Sequence, residues 1–289
     1  MADPLSEMLA SLNLTDTGAR TREDIFTGRS HPMPTGRVFG GQVMAQALVA
    51  AQRTISPERH AHSMHGYFLR PGDIDVPITF SVDRIHDGRS FSTRRTQAYQ
   101  NGLPILSMIA SFQDDDPGLD HQVDMPAGIP DPETLPSAAE ALVGVDHPVA
   151  RAWSYERAFD VRHVPSPVYV SVEGEHTQTQ AVWMKAIGPL PDDRDLHQAT
   201  LVYASDFTIQ ESVLRRHGRP WSTPGLKLAS LDHAVWLHRP GRMDDWVLYV
   251  QESPTAVGGR GLGQGRIYSR DGALLASVAQ EITVRVPGF

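Results

Sequence analysis

One glutamine stands where an apolar side chain belongs. Along Ala276, Val278, Gln280, Ile282 and Val284 a strand would carry five alternate residues on one face, four of them apolar and one an amide. Buried polar groups generally find partners, so Gln280 is either a core residue bonded to backbone or a member of a polar site. Asp206 is the second residue of interest. It follows Ser205 and precedes FTIQESVLRR, which reads as a helix closed by His217-Gly218, and a carboxylate at a helix start is most often a simple N-cap. His60, His62 and His65 invite a metal reading. Strand alternation puts His60 and His62 on one face and His65 on the other, and no Cys or carboxylate completes the set, so no metal site is expected. Asp232 and His233 are strand neighbours and point to opposite faces, which argues against a catalytic dyad. There is no G-x-S-x-G elbow for a serine nucleophile. The run from Gly258 to Gly265 contains phosphate-loop spacings through its glycine content, but no helix pattern opens after it. It reads as a flexible loop leading into a strand, with Arg260 and the N–H groups about Gly261 as the alternative contacts for a phosphate.

These residues need a scaffold, and composition bounds it. At 289 residues and 40% hydrophobic content the chain can bury a core in each of two domains. The net charge of -8 argues against a nucleic-acid or polybasic membrane surface, although a local basic patch for a phosphorylated ligand is compatible with it. There is no cysteine, which removes disulfides, thiolate metal sites and a cysteine nucleophile together and favours a cytoplasmic setting. No apolar run approaches the roughly 18 residues of a membrane span, so no membrane insertion is expected.

The helix-forming stretch VMAQALVAAQRTI, from Val43 to Ile55, is apolar on most sides and has to be wrapped rather than laid on a surface. Short β-rich runs follow at Tyr67 to Arg70, Ile78 to Ile85, Ser90 to Tyr99 and Leu103 to Gln113, punctuated by turn residues such as Asp87-Gly88 and Asn101-Gly102. One buried helix followed by an antiparallel meander predicts a sheet curled around a helix. Residues 1–20 read as a peripheral leader with a helix around Leu5 to Leu12. Residues 21–113 form the first unit. The segment from Asp114 through Pro136 holds five prolines and seven acidic residues, the composition of an extended linker, and a short helix follows at Ser137 to Val143, so the linker is drawn as 114–152. Strands are expected again at Tyr155 to Val161, Val168 to Val172 and Thr177 to Ile187, inside a second unit, 153–289.

The second unit repeats the first. Tyr67-Phe68-Leu69-Arg70-Pro71-Gly72 has a counterpart in Trp236-Leu237-His238-Arg239-Pro240-Gly241, 169 positions on, while Asn101-Gly102 and Leu106-Ser107-Met108 answer to Asp271-Gly272 and Ala276-Ser277-Val278 at 170. Three landmarks at nearly one offset indicate a duplication. The polar residues do not repeat: Gln280 maps onto Ala110, and Asp206 onto the neighbourhood of Gly36 to Val38. A cap or core amide required by the fold would be expected in both halves, so the difference favours a single functional site per chain.

The chain resembles the acyl-CoA thioesterase II family, the TesB-like double hotdog thioesterases, in FGGQVMAQALVAA at 39–51, HSMHGYFLRPGD at 62–73, DGRSFSTRR at 87–95, NGLPILSMIASFQ at 101–113 and SLDHAVWLHRP at 230–240. The resemblance implies an α+β tandem hotdog, two antiparallel sheets each wrapped around a central helix, folded as an internal pseudo-dimer. It also implies a catalytic Asp, Thr and Gln holding a hydrolytic water, at positions that here are Asp206, Ser230 and Gln280, with Ser in place of the usual Thr. Alternation puts Ser230 on the face of Asp232 and Trp236, opposite the apolar Leu231, Val235 and Leu237, unless a bulge reverses it. Hydrolysis of a thioester needs a positioned water, a proton acceptor and donors for an oxyanion. Asp206 would accept the proton, Gly40 and Gly41 at the helix start would offer N–H groups, and His65 could line the substrate site. Arg260 and Gly261 would then meet coenzyme A. The implied function is hydrolysis of fatty acyl-CoA without a cofactor, in a homo-oligomer. The rivals are a hotdog enoyl-CoA hydratase, which would need an Asp and His paired across the site, and a non-catalytic acyl-CoA binder.

Overall fold

The structure is a computed structural model that describes every residue except 1–2, 20–21, 32, 34–35, 147–149, 165, 287 and 289. The first half runs through α1 (Pro4–Leu12), β1 (Thr15–Asp16), β2 (Asp24–Gly28), α2 (Gly40–Gln52), β3 (Arg59–Phe68), β4 (Ile78–Asp87), β5 (Phe91–Gln100) and β6 (Leu103–Asp114). Two short helices follow, α3 (Ala138–Ala141) and α4 (Ala150–Tyr155). The second half comprises β7 (Phe159–Val164), β8 (Thr179–Ala186), α5 (Arg194–Ser205), α6 (Glu211–Arg216), β9 (Lys227–Ser230), β10 (Asp232–Leu237), β11 (Val247–Val257), β12 (Arg260–Ser269) and β13 (Leu274–Arg285).

The expected pair of sheets is realised as two halves of one continuous 13-stranded antiparallel sheet, ordered β1-β2-β4-β5-β6-β3-β10-β13-β12-β11-β8-β7, with β9 beside β13. The halves meet where β3 pairs with β10. There His65 stands opposite Ala234, the residue 169 positions further on, so the internal two-fold passes through that pair. The repeat offset read from the landmarks is therefore the symmetry of the fold itself. Even the irregularities repeat. Between Ala61 and Ser63 the strand β3 carries one extra residue, His62, against β6. At the related position, Leu231, the chain breaks between β9 and β10: Ser230 faces Ile282 while Ala234 faces Ala279, four steps against three.

Helix α2 buries eleven of its thirteen residues, as an all-round apolar helix must. Its buried amides are satisfied: Gln46 Nε2 donates to the carbonyls of Ser11 and Arg29, both at 2.8 Å. Beside it α5 runs antiparallel, with Gly41 against the Tyr203 carbonyl at one end and Gln52 Nε2 donating to Asp195 O at the other. This second central helix differs from expectation. It is RDLHQATLVYAS, started by the side chain of Asp193 accepting from Asp195 N and Leu196 N, and it ends where the sequence reading has a helix begin. The physical reason is that its polar residues are buried and bonded rather than exposed. Gln198 donates to Ala61 O at 2.9 Å, Thr200 to Leu196 O at 2.8 Å, and His197 Nδ1 accepts from Met243 N at 3.0 Å.

Further corrections concern the periphery. The leader helix α1 is not peripheral, because Leu5, Met8 and Leu12 are buried in the main core with α2 and α5. The strand expected at Tyr155 to Val161 begins only at Phe159, since Tyr155 closes a helix, and Val168 and Tyr169 are buried without joining the sheet, their carbonyls accepting from Trp221 N and Ser222 N. The acidic, proline-rich segment is extended as expected but packed: Met125, Ile129 and Leu135 lie on Trp183, Trp246 and Tyr268, and Trp183 Nε1 donates to Pro130 O at 2.9 Å. The glycine run is a hairpin and strand rather than a flexible loop. Gly258 and Gly259, at φ +60° and +72°, form the turn, and β12 follows directly.

Candidate active site

The loss of symmetry between the halves creates the site. In the first half Arg94 is buried beyond the C-terminus of α2, donating from Nε to Thr54 Oγ1 at 2.8 Å and from Nη2 to Thr54 O at 3.1 Å, and pairing with Asp87 at 2.7 Å. The positions 169 residues after Ser92, Arg94 and Thr96 are Gly261, Gly263 and Gly265. A Cβ on Gly263 would lie 2.8 Å from Ile209 O, and one on Gly261 2.8 Å from Val213. Residues 206–216 fill the space left at 261 and 263, and Tyr249 that at 265. Glu211 anchors the segment, buried against His163 at 2.7 Å and accepting from Trp221 Nε1 at 3.0 Å.

Asp206 is therefore the C-cap of α5, not the N-cap of a following helix. Its carboxylate is 4% exposed and crosses to the N-terminus of α2, where Oδ2 accepts from Gly41 N at 2.7 Å. Unpaired N–H groups and partial positive charge favour an anion there. Oδ1 accepts from Gln280 Nε2 at 2.5 Å, and Ser230 Oγ lies 3.5 Å from the same oxygen. Burial outweighs these donors and pushes the Asp206 carboxyl up to about 6. The two glycines are steric requirements of this crossing. A Cβ on Gly40 would sit 2.7 Å from Asp206 Oδ2, and one on Gly41 would sit 2.3 Å from the Tyr203 carbonyl.

Ser230 reaches the site because the extra residue at Leu231 reverses the face of β9 relative to β10. Its Oγ accepts from Gln210 Nε2 and Gln280 Nε2, each at 3.2 Å. Gln280 is 1% exposed on the inner face of β13, as alternation predicts, and its Oε1 has no hydrogen-bond partner among the described residues. The structural counterparts of this set are Ala110 for Gln280, Ala61 for Ser230 and, since α2 and α5 correspond, the C-cap Arg53 for Asp206. The register of the helix comparison changes, and the one-sidedness remains.

A cavity of about 300 Å³ opens onto Gly40, Asp206, Gln210 and Ser230, with apolar walls that include Met8, Phe39, Trp153, Phe207 and Trp221 and basic groups at Arg37 and Arg157. Two further polar residues were not apparent from sequence. Gln210 sits in the turn that follows Asp206. His233 is fully buried, in phase with Val235 and Leu237 along β10, and that alternation was the signal for it. Asp232 accepts from Glu281 N at 2.6 Å and has no part in the site, so the two neighbours do point apart.

Three of the expected residues are elsewhere. His65 is exposed on the outward face and packs edge-on against Trp236 at 4.9 Å, because the extra residue at His62 leaves Met64 and Gly66 facing inward. Arg260 pairs with Glu281 at 2.8 Å beside a different cavity, and Gly261 serves the packing of Val213. The histidines do not converge: His60 Nδ1 meets Asp195 at 2.9 Å and His62 Nε2 meets Ser111 Oγ at 2.9 Å. Gly41 N–H, offered above for an oxyanion, is taken by Asp206.

The family models for acyl-CoA thioesterase and for the acyl-CoA thioesterase N-terminal domain match residues 153–283 and 29–113. The chain is 37% identical over 294 residues to acyl-CoA thioesterase 2 of Haemophilus influenzae, covering 99% of each. The chain belongs to the acyl-CoA thioesterase II family. It is also 38% identical over 278 residues to human acyl-coenzyme A thioesterase 8, covering 91% of this chain and 85% of that protein. Among solved structures, an acyl-CoA thioesterase II from Mycobacterium marinum superposes with a TM-score of 0.77 at 39% identity, covering 98% of this chain and 99% of the other. A tesB protein of Mycobacterium avium does so with a TM-score of 0.80 at 30% identity, over 98% and 100%. The tandem hotdog architecture of these thioesterases is that of this chain.

Proposed function

We propose that the chain hydrolyses fatty acyl-CoA thioesters at the single Asp206–Ser230–Gln280 site, by direct attack of water. The observation that carries this reading is a buried carboxylate with a raised pKa, placed between the N-terminus of a central helix and an apolar cavity. A base with a pKa near 6 is ionised at neutral pH and is more basic than an ordinary carboxylate, which suits it to proton abstraction. Water attacks the acyl carbon and gives its proton to Asp206. The oxyanion forms beside Gly40 N–H at the start of α2, where partial positive charge favours it. Collapse breaks the carbon–sulfur bond, and the proton returns from Asp206 to the coenzyme A thiolate. Ser230 and Gln280 fix the base and supply the water's remaining hydrogen bonds. No covalent acyl-enzyme is needed.

The apolar walls suit an acyl chain, and Arg37 and Arg157, which border the same cavity, take precedence over Arg260 as contacts for coenzyme A phosphates. The hydratase reading lacks an Asp–His pair, since His233 lies behind Gln280 and His31, which borders the cavity, has Glu7 and Glu156 rather than Asp206 as its charged neighbours. The same proposal divides the chain into hotdog domains 21–113 and 153–289 around the strap 114–152, in a cytoplasmic homo-oligomer. Among the described residues no helix is long and apolar enough to cross a membrane. Thiol release from short-, medium- and long-chain acyl-CoA esters tests the activity. Free coenzyme A is expected, and stable binding with no thiol from any ester would support the non-catalytic binder instead.

A further inference from the structure

His233 touches two partners, and together they dictate its state. Its Nε2 lies 2.8 Å from Ser205 Oγ, and that hydroxyl donates its own proton to Val202 O at 2.9 Å, in the last turn of α5. Ser205 must therefore accept from His233 Nε2–H. The neutral ring then presents a lone pair at Nδ1, which stands 3.1 Å from Gln280 Nε2. Besides Ser230 Oγ at 3.2 Å, Gln280 Nε2 is flanked by two acceptors with no proton of their own to offer it, Asp206 Oδ1 at 2.5 Å and His233 Nδ1 at 3.1 Å. Either contact would turn repulsive if the amide flipped and presented its oxygen instead.

We propose that His233 is a positioning residue that locks the Gln280 amide with its NH2 group on Asp206 and leaves its oxygen as the unpartnered acceptor for the reacting water. The chain Val202 O, Ser205, His233, Gln280, Asp206 runs from the end of α5 across β10 and β13 and back to the residue that caps α5. Burial keeps the ring neutral by pushing the imidazole down to about 4. Among the described residues no carboxylate pairs with it; Asp232, its chain neighbour, is bonded to Glu281 N on the opposite face.

The role rests on the catalytic assignment of Gln280, and a double-mutant cycle separates the two. Asn places its amide oxygen where Nδ1 stands, whereas Gln reaches only toward the Nε2 position. His233→Gln is expected to lower kcat roughly five- to tenfold, the worth of one buried hydrogen bond, with KM little changed, and His233→Asn to recover most of that loss. In a Gln280→Ala background the His233→Gln loss should shrink to less than about twofold. Ser205→Ala, which removes the partner of His233 Nε2, should behave in the same way. A His233→Gln loss that persists undiminished in the Gln280→Ala background, or one that falls on KM alone, overturns the positioning role. A Gln280→Ala variant with full kcat removes the catalytic assignment beneath it instead.

Discussion

The donors around Asp206 set the pH at which the enzyme turns on, and removing one of them moves that pH in a direction the structure dictates. Gln280 Nε2 donates to Oδ1 at 2.5 Å and favours the ionised form, while burial opposes it, with a net value of about 6. Gln280→Met keeps the bulk and removes the donor. A hydrogen bond to a charged group contributes about 1.5–3 kcal/mol, and one pKa unit corresponds to about 1.36 kcal/mol. The carboxyl should therefore rise by roughly one to two units. In kcat/KM, which reports the free enzyme, the parent should show a rising limb with a midpoint near 6. The variant's limb should move to roughly 7–8. Loss of the thioester absorbance reads this directly, without a thiol reagent that itself depends on pH. The position of the limb is diagnostic and its height is not, because the variant also loses a contact to the water. A variant limb at or below the parent's midpoint would refute the claim that Gln280 stabilises the Asp206 carboxylate.

The same shift has a consequence for stability. The carboxyl has a pKa of 3.8 in its unperturbed state and about 6 in the fold, so its favourable contribution is complete below the lower value and is lost as pH rises through the upper. Asp206→Asn should therefore gain stability relative to the parent as pH rises from below 4 to above 6, by at most about 3 kcal/mol. Urea unfolding at the two ends of that range measures it, and a difference independent of pH would contradict the raised pKa. Gly41→Ala places a Cβ 2.3 Å from the Tyr203 carbonyl, backbone that cannot swing aside. It should cost about 2–3 kcal/mol or more of stability, read as a lowered melting temperature, and an unchanged melting temperature would show that the helix crossing is looser than it stands.

What could be read from the chain depended on whether a residue's neighbours in sequence are also its neighbours in space. Gln280 was legible because β13 is regular from Ala276 onward and four apolar residues share its face. The 169-residue offset was legible because β5 and β6 have the lengths of β12 and β13 and even the extra residue at His62 recurs at Leu231. That extra residue was invisible in advance, and it decided two placements: it brought Ser230 inward and left His65 outside. Asp206 was singled out with the wrong structural role, because α5 is rich in His, Gln and Thr whose burial depends on partners far along the chain, such as Ala61 and Met243. The glycines at 261, 263 and 265 looked like a loop because their use is tertiary: the first two make room for residues 206–216 and the third for Tyr249.

The central claim is that the Asp206 carboxylate accepts the proton of the hydrolytic water. Its most direct test is the turnover of Asp206→Asn, set beside its affinity for a non-hydrolysable thioether analogue of an acyl-CoA. Asn keeps the size and one acceptor but not the base. kcat should fall by roughly a hundredfold or more while the analogue binds about as tightly as to the parent. A folded Asp206→Asn enzyme that keeps its turnover would contradict it.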